Sequence, residues 1–217
     1  MKLLKILLEQ EKILVPRRIE GRPEKHIRAT QQKIQQYIKD GSKGNLDLGD
    51  YPITSLPNNL EYVGGYLNLQ GTPIESLPDN LKYVRGYLNL QGTPIKSLPD
   101  NLKYVKGHLL LSASEITSLP NNLRVGGSIR FKDTPIRSLP DNLFIEGDLS
   151  LTNTPIKSLP NNLEVVGSLS VSNTPITSLP DNLKVGGDLY VHKSPLAEKY
   201  TDEEIRNLAD IGGKIIR

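Results

Sequence analysis

A phrase of 20 or 21 residues recurs seven times between positions 44 and 186 of this 217-residue chain. Its clearest copy is GDLSLTNTPIKSLPNNLEVV, at positions 147–166. The glycines that open the copies stand at positions 44, 65, 86, 107, 127, 147 and 167, and a partial eighth copy opens at position 187. A unit this short cannot bury its own apolar face, so the copies must stack on one another. The sequence therefore predicts a solenoid.

Within each copy, apolar residues first alternate with polar ones, as in Leu149, Ser150 and Leu151. This period of two predicts a strand with one buried face in every turn of the solenoid. The two inward rows of these strands are Leu46, Leu67, Leu88, Leu109, Ile129, Leu149, Leu169 and Leu189, and Leu48, Leu69, Leu90, Leu111, Phe131, Leu151, Val171 and Val191. Four more apolar rows begin at Ile53, Leu56, Leu60 and Val63. The predicted fold class is a mainly β solenoid with a curved parallel sheet.

All seven copies carry proline at a Leu-Pro step and five carry it at a Thr-Pro step, and these prolines fix φ and remove backbone donors. We therefore expect extended backbone and turns, and no helix, on the outer side of the solenoid. One asparagine position is common to all copies, and we expect its amides to form a structural ladder between turns. These residues are Asn59, Asn80, Asn101, Asn122, Asn142, Asn162 and Asn182. A structural role is also expected for Thr72, Thr93, Thr134, Thr154 and Thr174.

The two ends of the chain depart from the repeat and are predicted to cap it. Residues 1–43 are predicted to form a helical cap, with a short helix near Leu3–Leu8 and a longer one over Pro23–Lys39. Residues 44–196 form the solenoid. Residues 197–217 are predicted to contain a helix that begins at the capping box Thr201–Glu204 and a ninth, edge strand near Ile215.

The string L-x-L-x-x-T-x-I-x-x-L-P resembles a leucine-rich repeat, with threonine where the family usually has asparagine. The short period with a repeated Leu-Pro step resembles the repeats of bacterial effector proteins, and TPI-x-SLPDNL-x-VGGDL is similar to small repeat proteins of tailed phages. The resemblance covers about residues 44–196 and implies binding, usually of proteins. Some effector relatives carry a ubiquitin-ligase domain with a catalytic cysteine. This chain has no cysteine, so that activity is not expected.

A partner surface is predicted on the concave sheet, where the residues between the buried leucines face outward. Aromatic residues and arginine are the usual anchors of protein interfaces. The surface is therefore centred on Tyr66, Tyr87, His108 and Arg130. Its full set is Tyr66, Asn68, Gln70, Tyr87, Asn89, Gln91, His108, Leu110, Arg130, Lys132 and Tyr190. The alternative is that the tyrosine pair only supports the sheet.

A second tyrosine stripe comes from the three 21-residue copies, where Tyr62, Tyr83 and Tyr104 stand between a leucine and a valine. We interpret these tyrosines as the inserted residues. An inserted residue should bulge from one turn edge and align the three rings there. The stripe is a second candidate surface, although duplication of one copy also explains it.

Catalytic chemistry is not predicted. Of the three histidines, His26 precedes the repeats, and His108 and His192 lie four strands apart; no phosphate-binding loop or hydrolase motif occurs. We expect no metal, no cofactor and no small-molecule substrate. No stretch reaches the roughly 20 apolar residues that span a bilayer. Absence of cysteine and of a signal-peptide pattern favours a cytoplasmic location. The resemblance implies that the cell is bacterial or phage-infected.

Charge is distributed unevenly, which leaves a further hypothesis open. Residues 1–43 carry 11 Lys and Arg against 5 Asp and Glu, whereas the rest of the chain is slightly acidic. The cations Arg17, Arg18, Arg22, Lys25, Arg28, Lys33 and Lys39 could bind nucleic acid. The leading hypothesis is a non-enzymatic protein-binding module. The alternatives are a structural component, for instance of a virion, and nucleic-acid binding through the N-terminal cap.

Overall fold

The computed structural model describes residues 23–141 and 143–217, and of residues 23–26 only the helical backbone. Three helices are present in this part: α1 (Pro23–Lys39), α2 (Pro195–Lys199) and α3 (Asp202–Leu208). The helix predicted over 23–39 is confirmed with those bounds. The predicted helix near Leu3–Leu8 lies outside the described residues. The division of the chain at residues 43 and 196 stays a prediction.

A nine-stranded parallel sheet runs along the whole solenoid, with one two-residue strand from each turn. Its strands are β1 (Leu46–Asp47), β3 (Leu67–Asn68), β5 (Leu88–Asn89), β7 (Leu109–Leu110), β9 (Ile129–Arg130), β11 (Leu149–Ser150), β13 (Leu169–Ser170), β15 (Leu189–Tyr190) and β17 (Ile215–Ile216). Equivalent residues of successive copies pair in register, for example Leu46 with Leu67. The strand predicted near Ile215 is confirmed, since β17 pairs with β15.

A second parallel sheet of eight strands, not predicted from the sequence, lies just before the opening glycine of each turn. Its strands are β2 (Tyr62–Val63), β4 (Tyr83–Val84), β6 (Tyr104–Val105), β8 (Arg124–Val125), β10 (Phe144–Ile145), β12 (Glu164–Val165), β14 (Lys184–Val185) and β16 (Asp210–Ile211). The valine row is buried, whereas the preceding residue of each strand is exposed or half-buried. The outer side of each turn is otherwise extended backbone and turns, as expected.

The core is one continuous apolar column that contains all six predicted rows. Its polar members are satisfied locally. Each buried hydroxyl in the threonine row donates to the backbone carbonyl three residues earlier, as Thr72 does to Leu69 at 2.7 Å. The same bond is made by Thr93, Ser114, Thr134, Thr154, Thr174 and Ser194. The structural role predicted for the threonines is therefore confirmed.

The corner between the two sheets depends on the opening glycines. The Gly86 N–H donates to the Gly65 carbonyl at 2.7 Å, and Gly107 donates likewise to Gly86 at 2.9 Å. A Cβ added at Gly107 would lie 2.8 Å from the backbone of the preceding turn. Real Cβ atoms do not approach backbone this closely, so the stacking distance itself requires glycine here.

Backbone conformation, in addition to the expected ladder, explains why asparagine recurs at this position. Asn122, Asn162 and Asn182 have φ of 62°, 58° and 56°, in the left-handed region that asparagine tolerates better than most residues. Amide bonds between turns occur too, such as that from Asn101 Nδ2 to the Asp79 carbonyl at 2.9 Å. The ladder is therefore present in part. Asn142 lies outside the described residues.

Helix α1 packs an apolar face on the first turns, with Ile34 in the core column and Ile27 also buried. The Tyr37 hydroxyl donates to the Ser42 carbonyl at 2.8 Å and accepts from the Gly64 N–H at 3.2 Å. Burial raises the pKa of Tyr37 above its usual value. Lys33, one of the cations considered for nucleic acid, donates to the Asp47 carbonyl at 2.7 Å.

Of the other cations considered for nucleic-acid binding, the structure describes the side chains of Arg28 and Lys39. Arg28 and Lys39 are exposed on α1. The residues Arg17 and Arg18, Arg22 and the side chain of Lys25 lie outside the described residues. The hypothesis of nucleic-acid binding through this cap therefore stays a prediction.

The C-terminal helices replace the outer part of the last turn. Ser194 caps α2, and Thr201 and Glu204 form the predicted capping box of α3. The hydrogen bonds from Thr201 lower the pKa of Glu204 below its usual value. Arg217 then holds both helices, because it bonds to the carbonyls of Ala197 and Tyr200 and to Asp202. None of the helices in the described part is long and apolar enough to cross a membrane.

Candidate functional site

The residue that follows each opening glycine has a common task on the nine-stranded sheet. We call these residues the position-two row: Asn45, Tyr66, Tyr87, His108, Ser128, Asp148, Ser168, Asp188 and Lys214. Six members offer a side-chain acceptor to the amide of the next member, at 2.7–3.2 Å. These bonds join Asn45 to Tyr66, His108 to Ser128, Ser128 to Asp148, Asp148 to Ser168, Ser168 to Asp188 and Asp188 to Lys214. The row is therefore part of the scaffold in most turns.

Tyr66 and Tyr87 depart from this task. Their rings stack on each other with centroids 4.5 Å apart and planes inclined by 6°. A phenol offers no acceptor near its own backbone, so neither residue can cap the next amide as serine or aspartate does. Among the described residues, no protein acceptor bonds the amides of Tyr87 and His108. The pair therefore occupies two positions at which the scaffold would be better served by a short polar side chain.

Polar side chains beside the pair form an ordered network. Asn68 Nδ2 donates to Asp47 Oδ1 at 2.9 Å, and Asn89 Nδ2 donates to Gln70 Oε1 at 3.0 Å. The Tyr66 hydroxyl lies 3.5 Å from the other oxygen of Asp47. Asn89 is only 7% exposed. Asp47 was not predicted, although the same alternation places it in the first turn beside Asn68.

The other predicted residues either make hydrogen bonds within the solenoid or lie away from Tyr66 and Tyr87. His108 Nδ1 accepts from the Ser128 N–H at 2.9 Å, so this ring caps an amide. Gln91 donates its backbone N–H to Asn89. Leu110, expected to be exposed, is half-buried and pairs in register with Arg130. The remaining predicted residues are exposed farther along the sheet: Arg130, Lys132 and Tyr190. Alternation in the sequence predicted that these residues lie on one face of the sheet. It did not predict which of them make hydrogen bonds within the solenoid.

Ionisation of Tyr87 reports on this environment. Its pKa is raised above the usual value, chiefly by burial and further by Tyr66 and the Asp47 carboxylate. The fold thus favours the neutral phenol. The stability that it contributes is present below the usual pKa of about 10 and is lost as the pH rises through the raised pKa. We expect Asp47→Asn to bring the pKa part of the way back.

Titration of the tyrosine ring carbons by NMR measures this shift, with Tyr87→Phe identifying the resonance. A Tyr87 that titrates at or below the value of a model tyrosine would contradict the packing described for the pair.

The second tyrosine stripe lies on the outer face of the eight-stranded sheet. Tyr62, Tyr83 and Tyr104 pair in register, and Tyr83 is 45% exposed. Tyr104 pairs with Arg124, which belongs to a 20-residue copy. The interpretation of the tyrosines as inserted residues is therefore wrong. The register leaves one residue over just before each tyrosine, namely Glu61, Lys82 and Lys103.

A 20- or 21-residue repeat, two in-register parallel sheets and a single apolar column define a leucine-rich repeat solenoid. No known protein family's sequence profile matches the chain, and no curated protein sequence matches it either. The fold is nevertheless shared with solved structures.

One similar structure is YopM, a leucine-rich effector protein from Yersinia pestis. The TM-score is 0.60 at 18% identity, over 91% of this chain and 56% of YopM. This chain therefore spans little more than half of the YopM chain. Another is the leucine-rich repeat domain of a Shigella effector, with a TM-score of 0.58 at 18% identity, over 98% of this chain and 97% of that one. At this identity the likeness defines the fold alone.

Proposed function

We propose that this chain is a non-catalytic protein-binding module that holds its partner on the outward face of the nine-stranded sheet, around Tyr66 and Tyr87. The observation that carries the proposal is the stacked pair itself. At this position six other side chains bond the next turn's amide, whereas the two tyrosines give up that bond. A residue whose side chain makes no hydrogen bond to the next turn is a candidate for contact with a partner.

The surroundings of the pair suit an interface. Tyrosine offers a large and rigid contact area with a polar tip, and such residues commonly dominate binding energy. The side chains of Asp47 and Asn68 are held by a mutual hydrogen bond, and the Gln70 side chain accepts a hydrogen bond from Asn89. Little side-chain entropy is therefore lost when a partner covers them. The two effector proteins that share the fold support a binding role for this chain.

The test compares Tyr66→Ala/Tyr87→Ala with Tyr190→Ala, a tyrosine of the same sheet five strands beyond the second tyrosine. A partner captured by the wild-type chain is purified, and its affinity is measured by calorimetry. We expect the double variant to lose about 30-fold or more, the effect of a hot-spot residue, and Tyr190→Ala to bind as the wild type does.

Equal affinity of the double variant and the wild type would overturn the proposal. Thermal unfolding of all three proteins serves as the control, because the two alanines also alter the packing of the sheet. If only Tyr83→Ala abolishes capture of the partner, the interface lies on the eight-stranded sheet instead.

A further inference from the structure

The two uncapped amides carry an inference about the chemistry of the partner, which rests on the proposed function. Apart from Asn45, which opens the first copy, Tyr87 and His108 are the members of the position-two row whose N–H groups receive no acceptor from the preceding turn in the described part of the chain. They belong to neighbouring turns, so the two donors lie about 4.8 Å apart. Donors without an acceptor on a ligand-facing surface favour a ligand that brings acceptors.

Charge at the same two turns points in the same direction. The residue just before the opening glycine is Arg85 in one turn and Lys106 in the next. In the other turns this position holds Lys43, Gly64, Gly126, Glu146, Val166, Gly186 and Gly212. Arg85 and Lys106 therefore stand two residues before the two uncapped amides, and among the turns that follow the first one no other cation occupies this position.

Both cations are available to a ligand. Arg85 and Lys106 are exposed, and no carboxylate among the described residues forms an ion pair with either of them. The guanidinium of Arg85 lies 5.8 Å from the ring centroid of Tyr62, a contact that leaves its N–H donors free. The nearest acidic group of the tyrosine site, Asp47, is already engaged by Asn68.

We propose that the amides of Tyr87 and His108, together with Arg85 and Lys106, bind a carboxylate in an acidic segment of the protein partner. The two oxygens of one Asp or Glu side chain can accept from both amides at once, and charge-assisted bonds of this kind are stronger than neutral ones. The stacked tyrosines lie beside this carboxylate and contact the apolar part of the same segment.

The extent of the positive charge favours a carboxylate side chain over a nucleic-acid strand. Arg85 and Lys106 are the cations that occupy this position in adjacent turns; the position holds Gly64 in the turn before them and Gly126 and then Glu146 in the turns after them. Because successive turns are about 4.8 Å apart, the positive region is only as wide as one or two acidic side chains. A nucleic-acid strand would continue into the acidic turn.

The decisive comparison is between Tyr66→Ala/Tyr87→Ala and Tyr66→Ser/Tyr87→Ser. Both remove the rings, but serine restores the missing caps, because Ser128 and Ser168 bond the next amide through Oγ at 3.0 Å. The probe is the peptide Ac-Ala-Glu-Ala-Glu-Ala-Glu-NH2, with its glutamine counterpart and inorganic phosphate as further arms. Binding is followed in 15N-labelled protein through the amide resonances of residues 87 and 108.

In the wild type we expect the glutamate peptide to move these two resonances downfield and the glutamine peptide to leave them in place. The serine variant should bind the glutamate peptide about tenfold more weakly than the alanine variant, and Arg85→Gln/Lys106→Gln should weaken it by a similar factor. Equal affinity of the serine and alanine variants, or tighter binding of phosphate than of the glutamate peptide, would overturn the carboxylate assignment.

This experiment can fail separately from the proposed function. The tyrosine double variant could lose its protein partner while the glutamate peptide leaves the two amide resonances unchanged. That result would support the proposed interface and contradict the carboxylate site. If the amides respond to the peptide while protein partners bind normally to the double variant, the anion site exists without the proposed interface, and the inference as stated here is wrong.

Discussion

Replacing Phe131 with alanine is expected to lower the free energy of unfolding by about 3–5 kcal/mol. Phe131 is the largest fully buried side chain in the described part of the chain, with 0% exposure. It fills the second inward row, where the turns on either side carry Leu111 and Leu151. Truncation removes apolar contacts and leaves a cavity that parallel strands in register cannot collapse to fill. Urea unfolding followed by circular dichroism gives the change.

Two variants of the same strand region serve as controls. Phe131→Leu introduces the residue that both neighbouring turns use, and it should cost less than about 1.5 kcal/mol. Arg130→Ala changes an exposed neighbour and should stay within about 0.5 kcal/mol of the wild type. A loss below about 1 kcal/mol for Phe131→Ala would mean that the turns are not packed as described. Because each turn contacts only its neighbours, amide exchange should increase mainly in the adjacent turns.

Replacing Gly147 with alanine is the second large effect, at about 3 kcal/mol, the upper end of the range for overpacking. The new Cβ would lie 2.6 Å from the Ser128 N and 2.7 Å from the carbonyl carbon of Gly127. Both atoms belong to the backbone of the preceding turn, so that no side-chain rotation can relieve the contact. The Gly147 N–H bond to the Gly127 carbonyl, at 3.3 Å, must lengthen as the turns separate.

The matched control is Glu146→Ala, one residue earlier and exposed, which should change stability by no more than about 0.5 kcal/mol. Thermal and urea unfolding measure both variants. A Gly147→Ala protein as stable as the wild type would show that the corner tolerates a wider spacing. Glycine would then be retained there for another reason.

Sequence periodicity predicted the apolar column well because every inward row repeats with the turn. The predictions of helix α1, the Thr201 capping box and strand β17 also came from local signals and are confirmed. The eight-stranded sheet was missed because a two-residue strand such as Tyr62–Val63 is too short to show alternation. Its existence depends on pairing between turns, which no single copy reveals.

The sequence predicted which face of the sheet carries the candidate site. It did not predict which residues of that face make hydrogen bonds within the solenoid. Tyr66 and Tyr87 were named correctly as neighbours, and the structure stacks them. His108 was predicted as part of the partner surface, whereas its Nδ1 accepts from the Ser128 N–H. An acceptor side chain and a merely exposed polar side chain have the same sequence signature. The inserted residue was misplaced for a similar reason, since Tyr104 and Lys103 fit the repeat equally well until the register with Arg124 is known.

The position-two row has a direction. Each acceptor bonds the amide that follows it by one turn, as Ser128 bonds Asp148 and Asp148 bonds Ser168, and no bond in the row runs the opposite way. A substitution in the row is therefore felt one turn toward the C-terminus, while the altered residue keeps its own amide bond. The amide that loses its bond therefore lies 20 residues after the substituted residue in most turns, 21 after Asn45 and 26 after Asp188. Exchange data from a mutational scan along this sheet must be assigned to the successor of each mutated residue.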